Sequence, residues 1–519
     1  MSIRTLLITV LALFPAFAYA QLNFGPDSTG AVIADVGEDG RASIAMSVLT
    51  LGGGTSPDVL IAGRAEQQFA PAAALLRYTA DGALDTDFGA DGLVLTDFSD
   101  IAGVALTAGT PVLVLDDDDG GLFVIATASA PDRIAILRYS QGGELDTAFG
   151  INGGAILDVS DGAAADRVAA AALDAAGRIV LVGRRDFAVE RSRAAVWRVL
   201  PDGTPDDSFA DDGVWSGPAA AVVSSDFNAV TLRDGNGIIA GGAAQQGTEV
   251  VFDRAGTLRG DFIVQLDSAG EPVADFGENG EVYILGQFDE ADVVNAVIYA
   301  LALRGDMIIY SGTANYGAGA DGPGSLGVID ADTGATNDEP GVLGGQSRVQ
   351  LLPGGQFAQG RDIAVLGNGD IAVVGAGQTG ADTGTSLLIT RFGNDQDGDF
   401  VQLDDGQLYR DISPETASGG LAAVAYGDNA VGIALAGFAQ NPNRTNRMMV
   451  SRTFFEPPPD DGGNGNGGNG VGPDNGGPNP IGGGGSGSAV GGGAFGGLGL
   501  VLLGLLGLGR LLFLRRTGG

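Results

Sequence analysis

The sequence predicts an all-β protein in which four-stranded sheets, built from one repeated motif, close into a ring. Three observations predict this. A strand-and-turn motif recurs along most of the 519-residue chain. The composition, with 90 glycines and 7% aromatic residues, favours many short strands joined by tight turns over helices. The chain also opens with the final part of a repeat and ends, before its tail, with the opening part of one.

The repeated motif, which we call the cassette, is clearest in residues 75–98. There the sequence is LLRYTADGALDTDFGADGLVLTDF: an apolar strand ending at Arg77 and Tyr78, an Asp81-Gly82 turn, a polar loop closed by Phe88, a second turn and another strand. Further copies begin at Ile136, Val196 and Ile263. The loop phenylalanines, Phe88, Phe149, Phe209 and Phe276, are 61, 60 and 67 residues apart. A fixed period of this length indicates a repeat architecture.

These copies resemble the delta-60 repeat family, whose repeats are similar to blades of a β-propeller. The resemblance covers roughly residues 22–455, and it is strong in four copies and weaker in two. It implies a fold rather than a chemistry.

The number of opening segments predicts the number of blades. There are seven, starting near Arg41, Ile101, Arg167, Asn228, Asn295, Arg361 and Leu421. Six or eight blades stay open as alternatives, because the fifth copy lacks the phenylalanine-glycine loop. The second strand of most blades is a continuous apolar run ending in glycine, as in residues 59–63. Such runs suit strands buried on both faces, and we expect the terminal glycines to lie in turns with positive φ.

The two ends of the repeat region predict how the ring closes. Residues 22–36 align with the end of a cassette, with Phe24 in the place of Phe88, and residues 421–455 supply only opening strands. If both ends share one blade, two exposed sheet edges are removed at once. The predicted domain is therefore a closed propeller over residues 21–456.

Both termini predict export. Residues 1–20 contain Arg4, an apolar run from Leu6 to Phe14 and a small-residue cleavage site at the end, which is typical of a signal peptide. Residues 457–493 are rich in proline, glycine and asparagine and predict a disordered linker. Residues 494–519 form an apolar segment with a basic end, long enough to cross a bilayer core of about 30 Å.

The tail, from its glycine-rich stretch to Arg515-Arg516, resembles the GlyGly-CTERM class of bacterial sorting signals. Members of that class are processed by a rhomboid-type intramembrane protease and passed to the cell surface. The resemblance implies a transient inner-membrane contact and a final location at the surface or in the medium. An ordinary C-terminal membrane anchor is the alternative, and it also places the propeller outside the cell.

Several chemistries are excluded by composition. The chain has no cysteine and no histidine, and all 27 basic residues are arginine. A Ser-His-Asp triad, a cysteine nucleophile, a lysine Schiff base and any histidine or cysteine metal site are thus ruled out. The formal net charge of −37 disfavours nucleic acid and anionic lipid as partners. Two interpretations of the excess of carboxylates are open: it keeps the protein soluble, or it binds cations.

One loop is a candidate cation site. Asp395, Asp397 and Asp399 alternate around Gly398, and oxygen ligands at this spacing are typical of Ca²⁺ loops. The resemblance to an EF-hand or dockerin loop is incomplete, because Gly393 stands where the first ligand belongs. A solvated turn is the alternative. A second acidic run, residues 116–119, matches no ligand spacing.

Recurring charged residues predict structural roles. Asp81, Asp202 and Asp267, with Asp85, Asp146 and Asp206, favour Asx turns within the cassettes. An arginine recurs in the third strand of most blades, at Arg77, Arg138, Arg198, Arg391 and Arg452. This recurrence favours pairing with loop aspartates over a single sialidase-like pocket. Arg184, Arg185, Arg191 and Arg193 form a basic patch for which a salt bridge to an adjacent blade and a partner contact are both open.

The function expected from these observations is that of a monomeric, non-enzymatic binding or scaffold module for extracellular protein or glycan. The alternatives are a polysaccharide-active hydrolase or lyase that uses carboxylates and arginine, and a structural envelope component. A carboxylate pair in the central channel would favour the enzyme. Aromatic residues such as Trp197 and Trp215 on one face would favour binding.

Overall fold

A computed structural model describes the repeat region with short gaps. The described residues are 24, 30–52, 57–101, 103–117, 120–129, 132–158, 163–187, 192–217, 222–246, 250–251, 254–255, 259–284, 287–288, 291–316, 324–336, 342–343, 348–352, 357–378, 385–395, 398–410, 417–426, 431–455 and 489–490. The predicted signal peptide, the predicted membrane segment and nearly all of the predicted linker lie outside them. Within the described part, no helix is long and apolar enough to cross a membrane.

The described residues form strands almost throughout. The first strands are β1 (Ala31–Ala34), β2 (Ser43–Leu51), β3 (Asp58–Glu66), β4 (Pro71–Tyr78), β5 (Leu93–Thr96), β6 (Ala105–Leu106), β7 (Val112–Asp117), β8 (Gly121–Ser129), β9 (Arg133–Ser140), β10 (Gly154–Leu157), β11 (Ala163–Leu173), β12 (Ile179–Phe187), β13 (Arg193–Val199) and β14 (Val214–Gly217). There follow β15 (Val222–Arg233), β16 (Gly237–Gln246), β17 (Val250–Val251), β18 (Arg254–Ala255), β19 (Arg259–Leu266), β20 (Glu281–Ile284), β21 (Gln287–Phe288), β22 (Ala291–Arg304), β23 (Met307–Tyr316), β24 (Gly324–Asp330) and β25 (Arg348–Gln350). The last are β26 (Ala358–Val365), β27 (Ile371–Gly377), β28 (Ser386–Asn394), β29 (Phe400–Arg410), β30 (Ser418–Tyr426), β31 (Val431–Gln440), β32 (Asn446–Phe455) and β33 (Ala489–Val490). A 3₁₀ turn (Glu38–Gly40) and the single-turn helix α1 (Phe98–Ile101) complete the described elements.

The strands build a seven-bladed β-propeller, which confirms the predicted fold. From inner to outer strand, blade one is β2 to β5, blade two β7 to β10, blade three β11 to β14, blade four β15, β16, β19 and β20, blade five β22 to β25, blade six β26 to β29, and blade seven β30, β31, β32 and β1. The fifth repeat, which lacks the phenylalanine loop, still forms four strands, and its outer strand has only three residues. The short strand β33 pairs with β11.

The N-terminal strand closes the ring as expected. Strand β1 pairs antiparallel with β32, with Ala31 opposite Ser451 and Ala34 opposite Met448. The Ser451 hydroxyl adds a 2.6 Å hydrogen bond to the carbonyl oxygen of Gly30. Because β1 pairs with β32 in blade seven, the edges that these two strands turn toward each other are both hydrogen-bonded.

The core lies between neighbouring blades, where apolar side chains of adjacent sheets interdigitate. Loop phenylalanines anchor each cassette there: Phe88, Phe209 and Phe276 are fully buried and Phe149 nearly so. Phe24 is buried as well and packs 6.5 Å from the ring of Tyr78 in blade one. The alignment of Phe24 with Phe88 is therefore confirmed.

The glycines that end the second strands do not serve turns, and the expectation of positive φ there was wrong. Gly63 lies within β3, opposite a bulge of the inner strand between Ala45 and Ser47. A Cβ on Gly63 would lie 2.0 Å from the carbonyl oxygen of Ile44. Blade two carries Ala126 at this position, and its inner strand is interrupted there, between β6 and β7. Glycine is thus needed where the bulged inner strand approaches closely.

Three of the five recurring arginines pair with the loop aspartates of their own cassettes, as the sequence predicts, whereas Arg391 binds Asp370 and Arg452 contacts the Tyr426 hydroxyl. The Arg77 side chain binds Asp85 at 2.5 Å, Arg138 binds Asp146 at 2.9 Å and Arg198 binds Asp206 at 2.7 Å. Each of these aspartates also accepts the backbone N–H two residues later, which confirms the Asx turns. The Asp81, Asp202 and Asp267 carboxylates bond to Ala83, Thr204 and Ala269 in the same way.

Two of these arginines, and Arg452, also reach the next blade. Arg77 donates to the carbonyl oxygen of Gln141 at 2.7 Å, and Arg198 donates to that of Ser268. Arg452 of blade seven donates to the carbonyl oxygen of Ala80 at 2.7 Å and so joins the last blade to the first. The guanidinium of Arg198 also lies 4.5 Å from the ring centre of the loop residue Phe209. We call this set of contacts the latch.

A backbone hydrogen bond accompanies the latch. After three of the four loop phenylalanines, the following N–H donates to a turn of the next blade: Gly89 to Gly142 at 2.9 Å, Ala210 to Ala269 at 2.8 Å and Gly277 to Thr333 at 2.8 Å. The cassette therefore joins neighbouring blades as well as closing its own.

Removing the closing strand tests the ring. A chain that starts at Gly40 lacks β1 and exposes the edge of β32, so we expect cooperative loss of stability and aggregation. Thermal melting and size-exclusion chromatography measure both effects. A truncated protein that melts at the same temperature as the intact one would contradict shared closure.

Removing the arginine of one latch tests how much the latch stabilises the fold. Replacing Arg198 by Met removes the cation bonded to the buried Asp206 carboxylate and leaves only Arg178, 3.7 Å away. We expect a loss of about 3 kcal/mol in the free energy of unfolding at neutral pH. Arg133→Met is the control, because its partner Asp158 is exposed and 3.9 Å away, and its hydrogen bonds go to the carbonyl oxygens of Asp132 and Ala164 and leave no buried charge when lost. We expect a loss of about 1 kcal/mol there.

This loss should depend on pH. Burial would raise the pKa of Asp206, but hydrogen bonds from Ser208 and Arg198 outweigh it and leave that pKa lowered. The stabilisation is therefore present above the pKa of the unfolded chain and is lost as pH falls through the folded pKa. Denaturant unfolding at stepped pH should show the variant and the parent converging in acid. A constant difference at all pH values would contradict the ion-pair role.

Candidate functional site

The predicted calcium residues lie on the hairpin between β28 and β29. The Asp395 N–H donates to the Asp399 carbonyl at 2.9 Å, and the Asp399 N–H donates to the Asp395 carboxylate at 3.0 Å. The Asp395 side chain thus takes part in the turn itself. Asp397 lies outside the described residues, so binding of Ca²⁺ by the three aspartates stays a prediction. Among the residues described, no three acidic side chains converge on a possible metal position.

Buried carboxylates in the described part all have structural partners. Five are held by arginine: Asp166 by Arg185, Asp174 by Arg178, Asp206 by Arg198, Asp261 by Arg348 and Asp370 by Arg391. The sixth, Asp362, accepts the N–H groups of Ile363 and Ala423, each at 2.8 Å. Burial raises the pKa of Asp362 well above its usual value, against the effect of these two bonds. Each of the six carboxylates therefore contributes to holding strands together.

The basic patch is neutralised within blade three. Arg185 is fully buried and binds Asp166 at 2.8 Å, and Arg184 contacts Asp186 at 3.3 Å. The Arg193 guanidinium lies 5.3 Å from the ring centre of Phe187. Both acidic partners belong to blade three, so the salt bridges of these two arginines among the described residues lie within their own blade. Arg191 lies outside the described residues.

A groove of about 730 Å³ opens where the cassettes of blades three and four meet at the rim of the propeller. It runs beside the outer strand β14. Its lining comes from three blades: Asp158, Pro205, Asp207, Ala210, Asp211, Asp212, Val214, Trp215, Ser216, Gly270, Glu271 and Pro272. The two tryptophans differ here, because Trp215 is half-buried in the groove wall whereas Trp197 is wholly inside the core.

A stack of aromatic rings holds Trp215 in place. Its ring lies 6.0 Å from that of Phe227 at an angle of 22°, Phe227 lies 5.4 Å from Phe262 at 8°, and Phe262 lies 4.8 Å from Tyr283 at 26°. The stack crosses from blade three through blade four. A ring fixed in this way loses little further conformational entropy when a ligand covers it.

The groove coincides with the positions at which the third cassette departs from the others. Trp215 stands where the other three carry Val94, Ala155 and Val282, Asp207 where they carry Thr86, Thr147 and Ala274, and Asp211 where they carry Ala90, Ile151 and Glu278. Ala210, at φ 45°, stands at a position that is otherwise Gly89, Gly150 and Gly277. The latch residues of the same cassette are unchanged. These residues could have been found from the sequence by aligning the four cassettes and looking for positions at which one cassette differs from the others.

The charge of the groove is entirely negative. The carboxylates of Asp207, Asp211, Asp212 and Glu271 are exposed and make no hydrogen bond or ion pair within the described part of the chain. The fifth carboxylate, Asp158, lies 3.9 Å from Arg133. No arginine is among the described residues that line the groove. Its potential therefore attracts cations.

Comparison with known proteins gives the fold and little more. Residues 59–88 and 177–209 match a family model described as a domain of unknown function (DUF5122) beta-propeller. No curated protein matches the chain.

Three solved structures illustrate the structural similarity. The polysaccharide lyase Uly1 is 10% identical, with 85% of this chain and 94% of that chain covered and a TM-score of 0.43. The β-propeller domain of the Trilobed protease from Pyrococcus furiosus is 8% identical over 78% of this chain and 94% of that chain, with a TM-score of 0.38. A fungal alcohol oxidase in complex with copper is 14% identical over 84% of this chain and 76% of that chain, with a TM-score of 0.41. Similarities of this size carry no information on activity.

Proposed function

We propose that the protein is an exported β-propeller that acts as a non-enzymatic binding module for an extracellular protein or glycan, with the groove of blade three as its ligand site. The predicted signal peptide and the predicted sorting tail support a location at the cell surface or in the medium, with a transient inner-membrane contact before processing. The propeller is the rigid part that presents the groove.

The observation that carries this proposal is the departure of the third cassette from the other three. Arg198, Asp206 and Phe209 keep the latch of this cassette, so folding of blade three does not require the changes beside them. Those changes put an aromatic ring and the carboxylates of Asp207 and Asp211 on a solvent-facing wall. Ligand sites typically combine an aromatic surface with a few polar groups that fix orientation.

The groove also differs from what the enzyme alternative requires. That alternative uses carboxylates together with arginine, whereas the groove wall supplies carboxylates alone. The buried arginines of the described residues hold aspartates or, for Arg452, the Tyr426 hydroxyl and a neighbouring blade. Their role is in keeping with a binding module whose interior charges are structural.

Binding to arrays of extracellular proteins and glycans tests the proposal. The full-length protein in mild detergent should retain a specific ligand, and Trp215→Val, which installs the residue of blades one and four, should weaken that ligand by about tenfold or more. Phe69→Val is the matched control, because Phe69 is 93% exposed on the β3–β4 hairpin and lies outside the groove.

Two results would contradict the proposal. A ligand held equally well by the Trp215→Val protein would place the site elsewhere. Conversion of a bound glycan to product by the parent, and not by a variant lacking the groove carboxylates, would establish the enzyme alternative instead.

A further inference from the structure

The hydrogen-bonding groups of the groove discriminate between the two ligand classes. Five of the twelve lining residues carry carboxylates, which when ionised only accept hydrogen bonds. Two more are prolines, which have no N–H. The side-chain donors among the lining residues are the Ser216 hydroxyl and the Trp215 indole. The wall is therefore rich in acceptors and poor in donors.

Four backbone donors in the groove loops are already used. The Ala210 N–H bonds to Ala269 at 2.8 Å, and the Asp211 N–H bonds to Val214 at 3.3 Å. On the opposite wall, the Gly270 N–H bonds to the Asp267 carbonyl at 3.1 Å and the Glu271 N–H bonds to the Asp267 carboxylate at 2.9 Å. A ligand in these loops would thus meet mainly oxygen atoms, with the backbone N–H groups of Asp207 and Asp212 as the remaining loop donors.

A glycan fits such a wall poorly, because each sugar hydroxyl both donates and accepts and is best held by a mixture of both kinds of group. A guanidinium fits it well. It carries five N–H donors and no acceptor, pairs with carboxylates through two parallel hydrogen bonds, and stacks on an indole ring. The fixed ring of Trp215 and the carboxylates of Asp207 and Asp211 offer both contacts within one groove.

We propose that the groove binds an arginine-bearing basic segment of a partner protein. This proposal rests on the proposed function and names its ligand class. A volume of about 730 Å³ exceeds one side chain and accommodates a short peptide segment. Four carboxylates without partners in the described structure repel one another, and a cationic segment relieves this repulsion. The net charge of −37 further speeds the approach of a basic partner at low salt.

Calorimetry with two peptides tests the proposal. The probes are the nine-residue peptide of alternating glycine and arginine, beginning and ending with glycine, and the same peptide with citrulline, which keeps the shape and removes the charge. With the full-length protein, we expect the arginine peptide to bind at least tenfold more tightly than the citrulline peptide. Raising the salt concentration should weaken its binding.

The repeats supply matched variants. Asp207→Thr with Asp211→Ala installs the residues of blade one and should weaken the arginine peptide by at least tenfold, as should Trp215→Val. Asp87→Ala with Asp91→Asn installs the residues of blade two in the cassette of blade one. It removes the same charge away from the groove and should leave the affinity unchanged. Melting temperatures confirm that each variant is folded.

Other outcomes overturn the proposal in distinguishable ways. Equal losses in both double variants would mean general charge attraction, and equal affinity for citrulline would mean that charge is not recognised. Ca²⁺ alone binding to the groove, with no heat from the arginine peptide, would make it a metal site. A neutral oligosaccharide bound through Trp215 without salt dependence would refute the basic ligand and leave the proposed function intact. If Trp215→Val changes no binding at all, both fail.

Discussion

The contact between a cassette arginine and the neighbouring blade is the constraint on which the ring depends. Arg198 holds Asp206 in its own blade, covers the ring of Phe209 and donates to a carbonyl of blade four. Arg77 and Arg452 make equivalent contacts to blades two and one. These contacts join blade one to two, three to four and seven to one, so the stability of one blade depends on its neighbour, and the pairing of β1 with β32 completes blade seven.

This arrangement separates structural charges from those that face solvent. Inside, the buried aspartates of the described chain are neutralised by arginine or bonded to backbone N–H groups. Outside, positions beside the latch are free to change, since the latch is formed by other residues. The cassette of blade three differs most from the other cassettes at these positions. Its aromatic and acidic groove is therefore the best candidate for a role other than folding.

Much of the fold could be predicted from sequence because its decisive contacts are local or repeated. Arg198 and Asp206 are eight residues apart, and the same spacing recurs in other blades. Closure followed from the half repeats at the two ends. The features that could not be predicted from sequence depend on segments that are distant along the chain. The role of Gly63 is set by a bulge in another strand, and the groove combines Asp158 of the blade two segment, Trp215 of blade three and Glu271 of blade four. The exposure of Trp215 but not Trp197 likewise depends on which strand is outermost.

The central claim is that the distinctive residues of blade three serve ligand binding and not folding. Rebuilding the groove in another blade tests this claim most directly. Blade one and its neighbour already carry Asp91 and Glu144, the counterparts of Asp212 and Glu271. Adding Thr86→Asp, Ala90→Asp and Val94→Trp supplies the counterparts of Asp207, Asp211 and Trp215. Calorimetric titration of this variant with the arginine peptide should give two peptides per chain, where the parent gives one. A folded variant that still binds one peptide would contradict the account.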